Sequence, residues 1–112
     1  MPIKETVYLA YDNAIDLQLR VDGAAVDLAP VTRMVLADVG CVWEVDSAAS
    51  PGVFNWGAGG GVLTMKLGEE PVPPGAYSCW LIIHDPTNPD GIVWGEKLKV
   101  SFVSVCRPPA GP

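Results

Sequence analysis

The side chains that could catalyse a reaction are few in this chain, and they occur singly. His84, the one histidine, could act as a general base, and Ser78 or Ser101 could act as a nucleophile. A catalytic triad is a spatial arrangement, but no nucleophile elbow or other local signature accompanies these residues. The sequence therefore predicts no catalytic residue and no cofactor, and we expect that the protein is not an enzyme.

Oxygen ligands at close spacing occur in one segment, where Asp85, Asn88 and Asp90 could approach a calcium ion. The ligand pattern of a calcium-binding loop is absent, and Pro86 and Pro89 fit an ordinary turn instead. We therefore expect no metal site in this segment.

The three cysteines, Cys41, Cys79 and Cys106, leave at least one thiol unpaired. They form no Cys-x-x-Cys pair, and with the lone His84 they match a four-ligand zinc site poorly. We predict reduced thiols buried in the core and no native disulfide. A Cys41–Cys79 bridge is the alternative.

A glycine-rich segment at residues 57–61 invites comparison with phosphate-binding loops. Such a loop needs a helix directly after the glycines, with a lysine and a hydroxyl residue in place. Residues 62–67 alternate as a strand instead, with Leu63, Met65 and Leu67 on one side. The segment is therefore predicted to be a hairpin connection rather than a nucleotide site.

The elements that position these residues are short runs of alternating apolar and polar side chains, separated by turn signals about every ten residues. The clearest run is 14–21, and the turn Asp22-Gly23 follows it directly. The runs lie at residues 5–10, 14–21, 24–28, 31–38, 41–46, 53–56, 62–67, 76–85, 92–94 and 97–105.

This pattern predicts an all-β fold, a β-sandwich of about seven to nine short antiparallel strands with under about a tenth helix. The chain of 112 residues is expected to form one domain over residues 1–106, followed by a flexible tail rich in proline and glycine over 107–112. The predicted core includes Leu17, Leu19, Leu36, Leu63, Met65, Tyr77, Cys79 and Leu81.

Composition excludes several classes of partner. The net charge is −6 and no basic cluster is present, which argues against binding to nucleic acid or to an anionic membrane surface. No apolar stretch is long enough for membrane insertion, and the N-terminal residues lack a signal-peptide core. We therefore expect synthesis in the cytoplasm without export by that route.

Residues 74–79, Pro-Gly-Ala-Tyr-Ser-Cys, resemble the approach to the sixth strand of an immunoglobulin-like sandwich. In that fold a tyrosine two residues before a cysteine bonds back to the preceding turn, which implies this role for Tyr77. The resemblance does not extend to the inter-sheet disulfide of antibody domains, because residues 14–21 contain no cysteine.

The order of strands and turns is similar to that of small immunoglobulin-like modules in tailed-bacteriophage virions, such as the N-terminal part of upper baseplate proteins. The similarity covers Thr6 to Val103 and is carried by residues 19–28, 31–38, 61–67, 74–77 and 85–91. It implies a non-enzymatic structural protein of the virion, in the tail, the baseplate or a capsid-decorating position. Other virion proteins would be its partners, in a homo-oligomer or on a larger shell or tail.

The strand at residues 76–85 is largely apolar on both faces, which suits a central strand or one whose outer face is covered by a partner, and we expect such a partner. Trp80, Ile82 and Trp94 are the predicted interface residues. Two alternatives remain open. Trp43, Trp56, Trp80 and Trp94 could form a platform for a carbohydrate-binding or adhesive module, and a small enzyme or inhibitor could carry a site without a recognisable motif.

Overall fold

The computed structural model describes residues 3–57, 61–94 and 97–104. These residues contain no helix and form eleven short strands. The strands are β1 (Ile3–Tyr8), β2 (Ile15–Gln18), β3 (Arg20–Val21), β4 (Ala24–Ala25), β5 (Arg33–Asp38), β6 (Glu44–Asp46), β7 (Phe54–Trp56), β8 (Val62–Met65), β9 (Gly75–His84), β10 (Ile92–Val93) and β11 (Leu98–Val103). The all-β prediction is confirmed, while the strand count exceeds the expected seven to nine because β3, β4 and β10 are two-residue strands. The tail at 107–112 lies outside the described residues.

The alternating run at 14–21 shows how local sequence sets the strands. Ile15 and Leu17 are buried, while Asp16 and Gln18 are exposed. The run divides at Leu19, whose amide donates to the Gly61 carbonyl at 2.7 Å. Beyond that point the chain pairs with itself through a two-residue turn. The turn residues, Asp22 and Gly23, both have positive φ (52° and 81°), the backbone conformation that tight hairpin turns require.

The larger sheet has the order β1-β11-β9-β5-β6, with β10 paired to β9. All its pairs are antiparallel except the first, because β1 runs parallel to β11 from Ile3 opposite Leu98 to Tyr8 opposite Val103. The prediction of purely antiparallel sheets is therefore wrong at this edge. Period-two alternation reports which face of a strand is buried but not the direction of the strand, so sequence alone could not reveal the parallel pair.

The smaller sheet has the order β2-β8-β7 and is antiparallel throughout. Inward-facing residues of both sheets belong to a single hydrophobic cluster, which gives a sandwich-like arrangement. Seven of the eight predicted core residues are buried, and Tyr77 is half-buried against the cluster. Trp43, Tyr77 and Phe102 meet there edge to face, with the ring centroids of Trp43 and Tyr77 5.3 Å apart.

The two described cysteines have different surroundings, and both are free. Cys79 is fully buried, and burial raises the pKa of its thiol to about 12, with a smaller contribution from the Asp38 carboxylate. The prediction that Cys41 is buried is wrong, because it lies exposed with φ 59° in the turn between β5 and β6. The alternative Cys41–Cys79 bridge is not formed. Cys106 lies outside the described residues.

Candidate protein-interaction face

The side chains of the larger sheet that point away from the core form one continuous surface, which we call the outer face. Along each strand these residues alternate with those that face the core, as expected for a sheet with one face on the core, and Val35 is the one among them that is buried. They are Lys4, Thr6, Tyr8, Arg33, Val35, Ala37, Glu44, Asp46, Ala76, Ser78, Trp80, Ile82, His84, Lys99, Ser101 and Val103.

An apolar strip crosses the middle of the outer face. Trp80 lies directly opposite Ala37, and Ile82 lies directly opposite Val35. Val93 extends the strip, because it pairs with Ile82 from β10 and is 53% exposed. Side chains directly opposite each other on neighbouring strands are close enough to pack together. Val35 is itself buried at 4% exposure, so the exposed apolar area of the strip comes from Trp80, Ile82 and Val93 with Ala37 beside them.

The structure brings together two of the three predicted interface residues. Trp80 and Ile82 lie on the outer face, both half-buried by their neighbours. Trp94 does not share that face. Its amide donates to the Leu81 carbonyl at 2.7 Å and its ring packs against the core cluster. Alternation explains the difference, because Val93 pairs beside Ile82 and the next residue points to the opposite side.

Charges flank the apolar strip, positive on one side and negative on the other. The ammonium of Lys97 lies 5.1 Å from the centroid of the Trp80 ring, a cation–π contact. Lys99 and Lys4 continue the positive side, since they pair directly with each other. On the far side, Glu44 pairs opposite Ala37.

The negative side contains one internal ion pair. Arg33 donates from Nε to Asp46 at 2.9 Å, and a second bond joins the same two side chains. The pKa of Asp46 is lowered because Arg33 hydrogen-bonds the carboxylate, and the pKa of Arg33 is raised by the same bond. Glu44 makes no ion pair with any described residue. The carboxylate of Glu44 is thus the exposed negative group of this side.

The candidate catalytic side chains share the outer face but stand apart on it. Ser78 and His84 are six positions apart on the same extended strand, which separates them by about 20 Å at roughly 3.3 Å per residue. A nucleophile and its base must be within hydrogen-bonding distance. Ser101 lies in the next strand opposite Ala76, still further from His84. The ring of His84 contacts the Pro89 carbonyl at 3.0 Å through Nδ1.

The remaining sequence motifs have local structural roles. Asp85 closes the turn after β9, because its Oδ1 accepts the Asn88 amide at 2.7 Å and the Asn88 side-chain nitrogen at 3.1 Å. Nowhere in the described ranges do three His, Cys, Asp or Glu side chains come together. The glycine-rich segment is followed by β8, as expected, and its residues 58–60 lie outside the described part.

The described residues of the chain contain no helix that is long and apolar enough to cross a membrane.

The four tryptophans do not form a common platform. Trp43, Trp56 and Trp94 all pack against the hydrophobic core. Trp80 alone belongs to the outer face, where Lys97 lies over its ring. Sequence reasoning missed the partners of Trp80 because strand register decides which residues lie beside it. The alternation of residues 92–94 was the one signal that could have placed Val93 on this face.

Comparison of the chain with known protein families, with curated proteins and with solved structures finds no match.

Proposed function

We propose that the protein is a non-enzymatic structural component of a tailed-bacteriophage virion, in the tail, the baseplate or a capsid-decorating position, and that it works through protein–protein contacts. The apolar strip on the outer face is the observation that carries the contact role. Trp80 and Ile82 stand at its centre with Val93 half-exposed beside them. An apolar centre with an aromatic anchor and a charged rim is typical of protein interfaces.

The proposed fold class is an immunoglobulin-like sandwich, and two features support it. The order β11-β9-β5-β6 in one sheet and β2-β8-β7 in the other corresponds to the division of strands between the two sheets of a variable-type immunoglobulin domain. The hydroxyl of Tyr77 also donates to the Pro73 carbonyl at 2.8 Å, which is the bond that the sequence resemblance implied. The assignment to a virion rests on that resemblance.

The two alternatives find less support in the geometry. A sugar-stacking site of several aromatic rings would need more than one tryptophan on a shared surface, and only Trp80 lies on the outer face. A hydrolase based on Ser78 and His84 would need the two side chains in contact rather than six positions apart along β9.

Fractionation of phage particles tests the proposal. Particles released by the organism that encodes the chain would be purified on a density gradient, and the chain would be quantified in each fraction by mass spectrometry. We expect it to sediment with the particles at a fixed ratio to the major capsid protein, and to remain with them after a high-salt wash. Recovery only in the particle-free fractions would contradict the proposal.

A further inference from the structure

One row of side chains crosses the outer face from its positive to its negative side. Lys97 lies beside Trp80, Trp80 pairs with Ala37, and Ala37 pairs with Glu44. The row therefore reads cation, large aromatic, small apolar, anion. The second half of this row complements its first half in both charge and size.

Complementarity of this kind fits a second copy of the same chain. Adjacent strands are about 4.8 Å apart, and two packed sheets are about 10 Å apart with their strands within about 30° of each other. A two-fold axis parallel to the strands, midway between β9 and β5, would place β9 of one copy over β5 of the other. The same axis would place the strand that begins after Lys97 over β6. Each Lys97 would then face Glu44 of the partner subunit, and each Trp80 would face Ala37 of the partner subunit.

We propose that the outer face forms a symmetric homodimer with this two-fold axis. The inference rests on the proposed function in one respect, namely that the outer face is a protein interface. Isologous pairing is the commonest solution for identical subunits, and here every contact occurs twice. In the next row, each Ile82 would lie over β5 of the other copy at the position of Val35, whose own side chain is buried within its subunit.

The charges also select this axis over the alternative face-to-face arrangement. A two-fold axis perpendicular to the strands would place the positive side of one copy over the positive side of the other. Lys4, Lys97 and Lys99 would then face a second set of lysines, which is unfavourable in a desolvated interface. Only the axis along the strands joins opposite charges.

Within one chain, Lys97 and Glu44 are too far apart to form a pair. Three strand spacings separate them, about 14 Å, which exceeds the screening length of about 8 Å in physiological salt. A change in one of these charges that is compensated by a change in the other must therefore act between subunits. This separation makes the pair a clean probe of the proposed dimer.

The experiment uses the full chain with two single variants, Lys97→Glu and Glu44→Lys, measured by sedimentation equilibrium and native mass spectrometry. We expect wild type to dimerise and each variant alone to dimerise about tenfold or more weakly, because its symmetric contacts join like charges. An equimolar mixture of the two variants should form heterodimers with near wild-type affinity, since both inter-subunit contacts then join opposite charges. The matched control variants, Lys66→Glu and Glu69→Lys, change exposed charges away from the outer face, and neither should alter the affinity.

A mixture that associates no better than its components would overturn the proposed dimer, and so would a wild-type chain that stays monomeric at high concentration. Either result, combined with recovery of the chain in phage particles, would leave the proposed function standing with a different virion protein on the outer face. Heterodimer rescue without any particle association would support the dimer and contradict the virion assignment.

Discussion

The corner where the chain leaves the larger sheet for the smaller one is expected to depend on Gly68. The Gly68 carbonyl accepts the Ala10 amide at 2.8 Å just after β1. A Cβ added at Gly68 would lie 2.1 Å from the Tyr11 carbonyl oxygen and 2.8 Å from the Tyr8 carbonyl oxygen. Both obstacles are backbone atoms, so a Gly68→Ala variant must move one of the two segments.

The cost of this substitution can be worked out from its parts. Overpacking costs about 1–3 kcal/mol, and weakening the bond from Ala10 adds roughly 1 kcal/mol. Replacing glycine also restricts the unfolded chain, which offsets about 0.4–1 kcal/mol of this. We therefore expect Gly68→Ala to lower the free energy of unfolding by about 1–3.5 kcal/mol.

Urea unfolding followed by tryptophan fluorescence measures this loss, which should lower the midpoint by about 1–2 M for a domain of this size. Gly52→Ala is the matched control, because nothing lies within 4 Å of its added Cβ and its φ is not positive. The control should unfold within about 1 kcal/mol of wild type, on the stabilising side. Equal midpoints for the two variants would refute the described packing of this corner.

Three further substitutions test other contacts. Tyr77→Phe removes the hydroxyl that donates to Pro73, and urea titration should show a loss of about 1 kcal/mol, whereas no loss would mean the bond is not formed in solution. Between about pH 9 and pH 11, wild type should lose stability more steeply than Cys79→Ala, because the unfolded chain releases the thiol proton at a lower pH than the folded chain does. The difference in slope should be at most about 1.4 kcal/mol per pH unit. Parallel stability profiles for the two proteins would contradict the raised pKa of Cys79. Arg33→Met should raise the pKa of Asp46 in an NMR titration, and an unchanged pKa would contradict the ion pair. The same substitution should lower the free energy of unfolding by under about 1 kcal/mol at neutral pH. This loss of stability should disappear as the pH falls through the folded-state pKa of Asp46.

Strand positions were predictable because burial on one face leaves a period-two pattern in the sequence. The long strand β9 was predicted within one residue at each end, and β2 was predicted by its alternation of buried and exposed side chains. The predicted strand at 41–46 begins only at Glu44, because the Cys41 amide bonds the Asp38 carbonyl at 2.9 Å in a tight turn. Turn geometry of this kind overrides an alternating pattern that is only a few residues long.

The interaction face was only partly predictable from the sequence. The apolar outer side of β9 was visible in the alternation that includes Trp80 and Ile82. The row that joins Lys97 to Glu44 was not visible, since these two residues are distant in sequence and fall in one row only through the registers of β11, β9, β5 and β6. Register is set by the packing of the whole sandwich, and no local motif encodes it.

The most direct test of the outer face as an interface compares the self-association of the wild-type chain with that of a variant whose Trp80 side chain is truncated. Sedimentation equilibrium would compare wild type, Trp80→Ala and the control variant Val62→Ala, which truncates an exposed apolar side chain on the smaller sheet. Loss of a central aromatic anchor costs about 2 kcal/mol or more, and the symmetric dimer loses two of them, so we expect the dissociation constant of Trp80→Ala to rise roughly 1,000-fold while Val62→Ala matches wild type. Equal dissociation constants for wild type and Trp80→Ala, with the β-rich circular dichroism spectrum intact in both, would contradict the role of the outer face as the interface.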